Sequence, residues 1–406
     1  MQSVEGAIAI SGVRLGAVRA PVYANKERDD LLLVAFDEGT VGAAVTTKNQ
    51  FCAAPITCLR AHLSATPAVR FWLLNAGNAN AGTGVDGAAA CRATVKALAE
   101  LTGQQEDSIW PFSTGVIGEP LPVDSINTAL PRALSVMDHT TDAWQRAAAA
   151  IMTTDTHPKL RSITCEIDGV TVSLSGMAKG SGMIHPNMAT MFGLIMTDAS
   201  VAPDVLQTLL GRAVDHSFNC VTVDGDTSTN DACVVAATGH AQHARITDPR
   251  SEAAQVLQAA LDVLCDDLAE MLARDGEGAT KFVRVIVKGA RSDAEAHTIA
   301  NTVALSPLVK TALAASDPNW GRIVAAVGRA EVDTIDISRV HVWLNGVQIV
   351  AHGGRHPDYT EAQGQAAMAP VDIDIVIDLS AGSGACRVMT CDLTKDYVRI
   401  NAEYRT

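Results

Sequence analysis

The run Gly176-Met177-Ala178-Lys179-Gly180-Ser181-Gly182-Met183-Ile184-His185-Pro186-Asn187-Met188-Ala189-Thr190-Met191-Phe192-Gly193-Leu194-Ile195-Met196-Thr197-Asp198 changes character along its length. Glycines at 176, 180 and 182 argue against a packed helix. Phe192 to Asp198 is a short apolar run of strand length. The segment therefore predicts a flexible loop that delivers Thr190 to the head of a buried strand. Outward from it, strands are expected at Leu31–Phe36, Val69–Leu74, Phe282–Val287 and Val371–Leu379. The last alternates, with Val371, Ile373, Ile375 and Ile377 on one face and Asp372, Asp374, Val376 and Asp378 on the other. Hairpins are expected around Asp168-Gly169 and Asn345-Gly346.

Helical period runs over residues 86–101 and stops at Gly103. Further helices are expected from Pro203, from Asp248-Pro249 read as an N-cap with proline at N1, and from Ser306-Pro307 by the same signal. Asn75-Ala76-Gly77-Asn78-Ala79-Asn80-Ala81-Gly82-Thr83-Gly84 reads as a loop, since Asn and Gly tolerate positive φ. The sum is an α+β protein with more strand than a doubly wound fold needs. No short-period repeat or low-complexity linker is evident, and a domain boundary fits near 190–200 or 275–300.

The 406 residues suffice for one large core or two ordinary domains, and 48% hydrophobic content is globular. A formal charge of −14 disfavours nucleic acid and anionic membranes as partners and suits small charged metabolites. The start Met1-Gln2-Ser3-Val4-Glu5 has no basic or apolar signal region, and no apolar run reaches the roughly 18–20 residues of a membrane span. A cytoplasmic location is expected. Nine dispersed cysteines without CxxC read as reduced thiols, with Cys91 facing the core beside Val95 and Leu98.

Thr190 carries a specific chemical option. A threonine hydroxyl needs a base, and breaking the peptide bond before it creates one in its own α-amine. The reference pKa of that amine, about 7.7–8.0, suits proton exchange near neutrality. The same hydroxyl attacking the Ala189 carbonyl would make the break through an ester. The plainer reading is an ordinary strand threonine.

Thr114 and Gly115, in Trp110-Pro111-Phe112-Ser113-Thr114-Gly115-Val116-Ile117-Gly118, offer a hydroxyl and a backbone N–H to an oxyanion, or form a simple turn. The threonines of Met152-Thr153-Thr154-Asp155-Thr156 either cap the preceding helix or bind a polar substrate. Val223-Asp224-Gly225-Asp226-Thr227-Ser228-Thr229-Asn230-Asp231 has calcium-loop composition without the spacing or terminal Glu, so it reads as a polar wall or a structural loop. No HExxH occurs, and His185 is either catalytic or a loop support.

These segments, with Asn75–Asn80, Asp224–Asp231 and the tail Asn401-Ala402-Glu403-Tyr404-Arg405-Thr406, resemble the ornithine acetyltransferase family of arginine biosynthesis over essentially the whole length. Lys179–Met191 is the most specific piece. The resemblance implies layered sheets flanked by helices, similar to N-terminal-nucleophile hydrolases but with the family's own topology. It implies self-cleavage between Ala189 and Thr190 into an α chain, 1–189, and a β chain, 190–406. The two chains would share one core, with a C-terminal subdomain from about 275, and assemble as a heterotetramer of two of each.

Thr190 would be the nucleophile, and Thr114 and Gly115 the oxyanion hole. Thr153, Lys179, Thr190, Glu277, Asn401 and Thr406 would bind substrate, with Lys179 on a carboxylate and Glu277 on an amine. By residue pattern alone Glu277 is an ordinary loop carboxylate, and a C-terminal strand is expected to carry Asn401–Thr406. The implied reaction takes acetyl from N2-acetylornithine to L-glutamate, with acetyl-CoA as a second candidate donor and no metal or cofactor. Competing readings are a self-processing aminopeptidase or amidase, and a non-catalytic ligand-binding protein.

Overall fold

The computed structural model describes residues 1–23, 27–185 and 191–403. Contacts divide them into two compact units. The first takes the described parts of Met1–Gly180, Asn187–Asn219 and Asp226–Ala269; the second takes those of Ser181–Pro186, Cys220–Gly225 and Glu270–Thr406.

The first unit holds two sheets. One runs β1 (Gln2–Glu5), β7 (Lys159–Ile167), β8 (Val170–Lys179), β9 (Phe192–Thr197), β10 (Ala232–Ala237), β4 (Val41–Thr46), with only β9 and β10 parallel. The other runs β2 (Val13–Val18), β3 (Leu31–Phe36), β5 (Phe71–Asn78), β6 (Ile109–Val116), with β5 and β6 parallel.

Strand β3 shows why the sheets layer. All six residues are buried, and side chains alternate between faces. Leu32, Val34 and Phe36 join a core that also takes Met177, Phe192, Leu194 and Val234 from the first sheet. Leu31, Leu33 and Ala35 join a second core with Val95, Leu98, Ile126 and Leu130. Those four lie on helices Gly84–Thr102 and Val123–Ser135. An edge-to-face chain, Phe36–Trp72–Phe112–Phe192, spans the two sheets at centroid separations of 4.8, 6.2 and 5.7 Å. Each such pair adds about 0.5–1.5 kcal/mol beyond burial. Helix Pro203–His216 buries Val205, Leu206, Leu209 and Leu210, and its Gln207 bridges both backbone groups of Ala44 on β4.

The second unit has one sheet, β14 (Gly354–Arg355), β13 (Val347–Ala351), β12 (His341–Leu344), β15 (Asp372–Asp378), β11 (Phe282–Ala290), β16 (Gly384–Cys391). In β15 the expected alternation holds from Asp372 on: Ile373, Ile375 and Ile377 are buried, whereas Val371 precedes the strand and is exposed. On its other face Asp372 pairs with Arg274 and Asp374 with Arg284. Helices Asp293–Ala304, Pro307–Ala314 and Trp320–Gly328 supply the other side of the core. Sheets flanked by helices make the chain α+β, as expected. Both hairpins and the helix after Pro203 form where expected.

Four local expectations are corrected. Asn75–Asn78 continues strand β5 instead of looping, and Thr114-Gly115 lies in strand β6 (Ile109–Val116) instead of a turn, because the two segments pair with each other. The helix expected from Pro249 starts at Glu252: Asp248 accepts from Arg250 N in a turn, and Ser251 Oγ caps Ala254 N at 3.2 Å. Lys395–Ala402 is a helix where a C-terminal strand was expected. All nine cysteines are free thiols. No described helix is long and apolar enough to cross a membrane.

Candidate active site

Lys179 ends β8 with its side chain buried inside the first unit. Its Nζ donates to Thr153 Oγ1 at 2.8 Å and Thr114 Oγ1 at 3.1 Å. An ammonium only donates, so each hydroxyl accepts from it and keeps its own proton to give elsewhere. Asp155 fixes this arrangement from behind. Its Oδ1 accepts from Lys159 Nζ and Gly180 N, both at 2.7 Å, and its Oδ2 accepts from Thr153 N at 2.9 Å. The Asp155 and Lys159 side chains are wholly buried. Burial would raise the Asp155 pKa, but the Lys179 and Lys159 charges and the Gly180 N–H outweigh it and hold the carboxyl well below its ordinary range.

Gly115 follows Thr114 at a break in the β5–β6 register. Its φ is +135°, and a Cβ there would sit 2.2 Å from the Gly77 carbonyl carbon. Only glycine satisfies both demands. An asparagine network holds this corner. Asn75 Oδ1 accepts from Ser113 Oγ at 2.6 Å, and Asn230 Nδ2 donates to Ala79 O and Ser113 O at 2.6 and 2.8 Å. Met191 enters β9 with its N–H on Asp231 Oδ1 at 2.9 Å. Asp231 is fully buried, and that burial raises its pKa well above the ordinary value; the Met191 N–H, Lys179 and Ser228 pull back less.

In the second unit, Glu277 is buried and accepts from Asn401 Nδ2 at 2.7 Å. Its backbone N–H donates to Ser181 O at 2.8 Å. A Cβ on Gly182 would lie 2.4 Å from the Glu277 carboxyl carbon, so this approach also needs glycine. Asp224 accepts from Met183 N and Ile184 N at 2.6 and 2.9 Å, and His185 Nδ1 lies 3.4 Å from Thr222 Oγ1. The acidic loop thus spends Asp224 and Asp231 on backbone N–H groups. Among the described residues, no group of three or more His, Cys, Asp and Glu is placed to hold a metal ion.

A profile of the ArgJ family matches residues 14–406. The chain belongs to the ArgJ family. ArgJ proteins are arginine biosynthesis enzymes. The arginine biosynthesis bifunctional protein ArgJ of Methylococcus capsulatus is 53% identical over 397 residues, covering 98% of this chain and 96% of that protein. That of Pseudomonas syringae pv. tomato is 49% identical over 397 residues, covering 98% and 97%. Among solved structures, ArgJ of Bacillus halodurans is 37% identical, with a TM-score of 0.49, covering 52% of this chain and 97% of that one. Ornithine acetyltransferase of Mycobacterium tuberculosis, solved with ornithine, is 33% identical, with a TM-score of 0.42, covering 46% and 97%.

In this ArgJ chain the structure brings Thr114, Thr153 and Lys179 together, with Gly115 beside Thr114, and separately joins Glu277 to Asn401. Ala189, Thr190 and Thr406 lie outside the described residues. Sequence reading gave no role to Asp155 or Lys159, read Asn230 and Asp231 only as part of a polar wall or structural loop, and read Gly182 only as part of a flexible loop. The signal for the first two was present as an acid and a base four residues apart beside the threonines.

Proposed function

We propose that the chain transfers acetyl from N2-acetyl-L-ornithine to L-glutamate, giving L-ornithine and N-acetyl-L-glutamate, through an acetyl ester on Thr190. Self-cleavage between Ala189 and Thr190 exposes the α-amine that serves as base. Thr190 Oγ1 attacks the acetyl carbonyl; the Thr114 hydroxyl and Gly115 N–H take the oxyanion; ornithine leaves; glutamate's amine then attacks the ester. Lys179 is assigned to a substrate carboxylate and Glu277, oriented by Asn401, to the side-chain ammonium; Thr153 and Thr406 complete the binding set. The mature form is a cytoplasmic heterotetramer of chains 1–189 and 190–406.

The observation that carries this reading is the buried Lys179 ammonium held by the Thr114 and Thr153 hydroxyls. That arrangement leaves hydroxyl protons to donate, as an acyl-transfer site needs. Whole-chain relatedness to arginine biosynthesis proteins supports the substrates, and the word bifunctional in the relatives' names supports acetyl-CoA as a second donor.

Intact mass of the purified protein should show two fragments meeting at 189/190. Transfer to glutamate should proceed from acetylornithine and from acetyl-CoA; activity from acetylornithine alone would limit the chain to the single transfer. Thr190→Ala should remain one chain and lose roughly a thousandfold or more in rate. Appreciable transfer by that variant would remove Thr190 from the mechanism.

A further inference from the structure

Helix Ala54–Ala65 places Cys58 and His62 one turn apart, and both line a cavity of about 660 Å³ in the first unit. Cys58 Sγ lies 3.3 Å from His62 Nε2, and His62 Nδ1 lies 2.8 Å from Ile109 O. A carbonyl oxygen only accepts, so Nδ1 carries hydrogen and Nε2 is the nitrogen that can take the thiol proton. The backbone thus orients the imidazole toward the sulfur, the base-and-orienter arrangement of nucleophilic cysteine sites. Cys91 flanks the same sulfur. The Cys58 pKa is lowered to about 5: the Cys91 thiol contributes most, burial opposes it, and His62 and Arg92 add to the lowering. His62 moves the opposite way, raised by Cys58 and the Ile109 carbonyl over the opposing effect of burial.

The other lining residues suggest what enters. Arg92 and Glu106 put one charge of each sign at the cavity, with Phe51 exposed beside them. The volume suits a small organic molecule. None of these residues belongs to the acyl-transfer machinery proposed above.

We infer that Cys58, activated by His62, is a thiol–disulfide exchange site for a small disulfide carrying both carboxylate and ammonium groups. The Cys58 thiolate attacks one sulfur of that disulfide; the new S–S bond forms as the old one breaks. The departing thiolate takes the proton held on His62. One disulfide is consumed and one formed, so no outside oxidant is needed. The product is a mixed disulfide filling the cavity.

The test uses the full chain, glutathione disulfide as probe, and peptide mass mapping after acid quench between pH 6 and 9. Cys58 should be modified before the other eight cysteines, at a rate nearly flat across that range. His62→Gln removes the base and the cation beside the sulfur but leaves the Cys91 contact, so the reaction should slow several-fold at pH 6 relative to the native chain. Arg92→Gln should slow glutathione disulfide several-fold but leave neutral hydroxyethyl disulfide unchanged. Prior modification of Cys52, or a native profile falling steadily below pH 8.5, would overturn the inference. The native profile alone decides this if His62→Gln fails to fold.

Discussion

Asp155 sits between Lys159 and Lys179 and accepts from two backbone N–H groups, whereas Asp231 receives the Met191 N–H in a pocket where burial dominates. Both are buried carboxyls in the same unit, yet the pKa of one is held below its ordinary range and that of the other is pushed above it. Burial penalises both alike, so the difference lies in the partners. At Asp155 two cations and the backbone donors outweigh desolvation; at Asp231 the Met191 N–H, the Lys179 charge and the Ser228 side chain do not.

Asp155→Asn puts the most at risk. It leaves Lys159 and Lys179 buried without their anion, and urea unfolding should show a loss of about 3–5 kcal/mol. A loss below about 1 kcal/mol would mean Asp155 is not the ionised member. Lys159→Met keeps Lys179 as a partner and should cost roughly 1–3 kcal/mol at neutral pH. Its acid dependence sharpens the point. A depressed folded pKa gives stability that is present above the unfolded value, near 3.9, and lost as pH falls toward the folded one. With one cation gone there is less to lose, so the decline below about pH 4 should be shallower than in the native chain.

Asp231→Asn has the opposite sign, and its effect vanishes at low pH. A raised folded pKa means that the unfolded state ionises first as pH climbs past about 3.9. Native stability then falls by up to about 1.4 kcal/mol per unit until the folded group also ionises. The asparagine variant lacks that slope, so its advantage should be absent near pH 3.5 and grow as pH rises until the native group ionises. Infrared spectra should show an un-ionised carboxyl band persisting above the ordinary carboxyl range in the native protein and in Asp155→Asn, missing in Asp231→Asn. No such band in the native protein would erase the contrast.

Elements whose burial pattern is written locally were legible. Strand β15 alternates residue by residue, and helix Pro203–His216 carries its apolar positions at helical spacing. Strand β5 was legible only at its apolar start and β6 not at all, because Asn75–Asn78 and Ser113–Val116 are held as strand by pairing with each other, against their turn-like composition. The C-terminal helix escaped for a related reason: it has no buried residue, so no apolar period announces it. In the site, Thr114, Thr153 and Lys179 were named from motifs. Asp155 was passed over, and Asp231 was read only as part of a polar loop, because their importance comes from Lys179 and Met191, which reach them only through the sheet.

The adjacency of β8 and β9 has one more consequence. Six residue pairs, from Leu174 with Thr197 to Lys179 with Phe192, lace these strands into one antiparallel ladder, and the connection between them is the segment 180–191. A nick anywhere in that connection would turn an internal ladder into a seam between two polypeptides, each holding part of one six-stranded sheet. Neither piece could leave without exposing a bare sheet edge to water. Two genes encoding the halves would therefore have to be expressed together, and the pieces would travel as one particle.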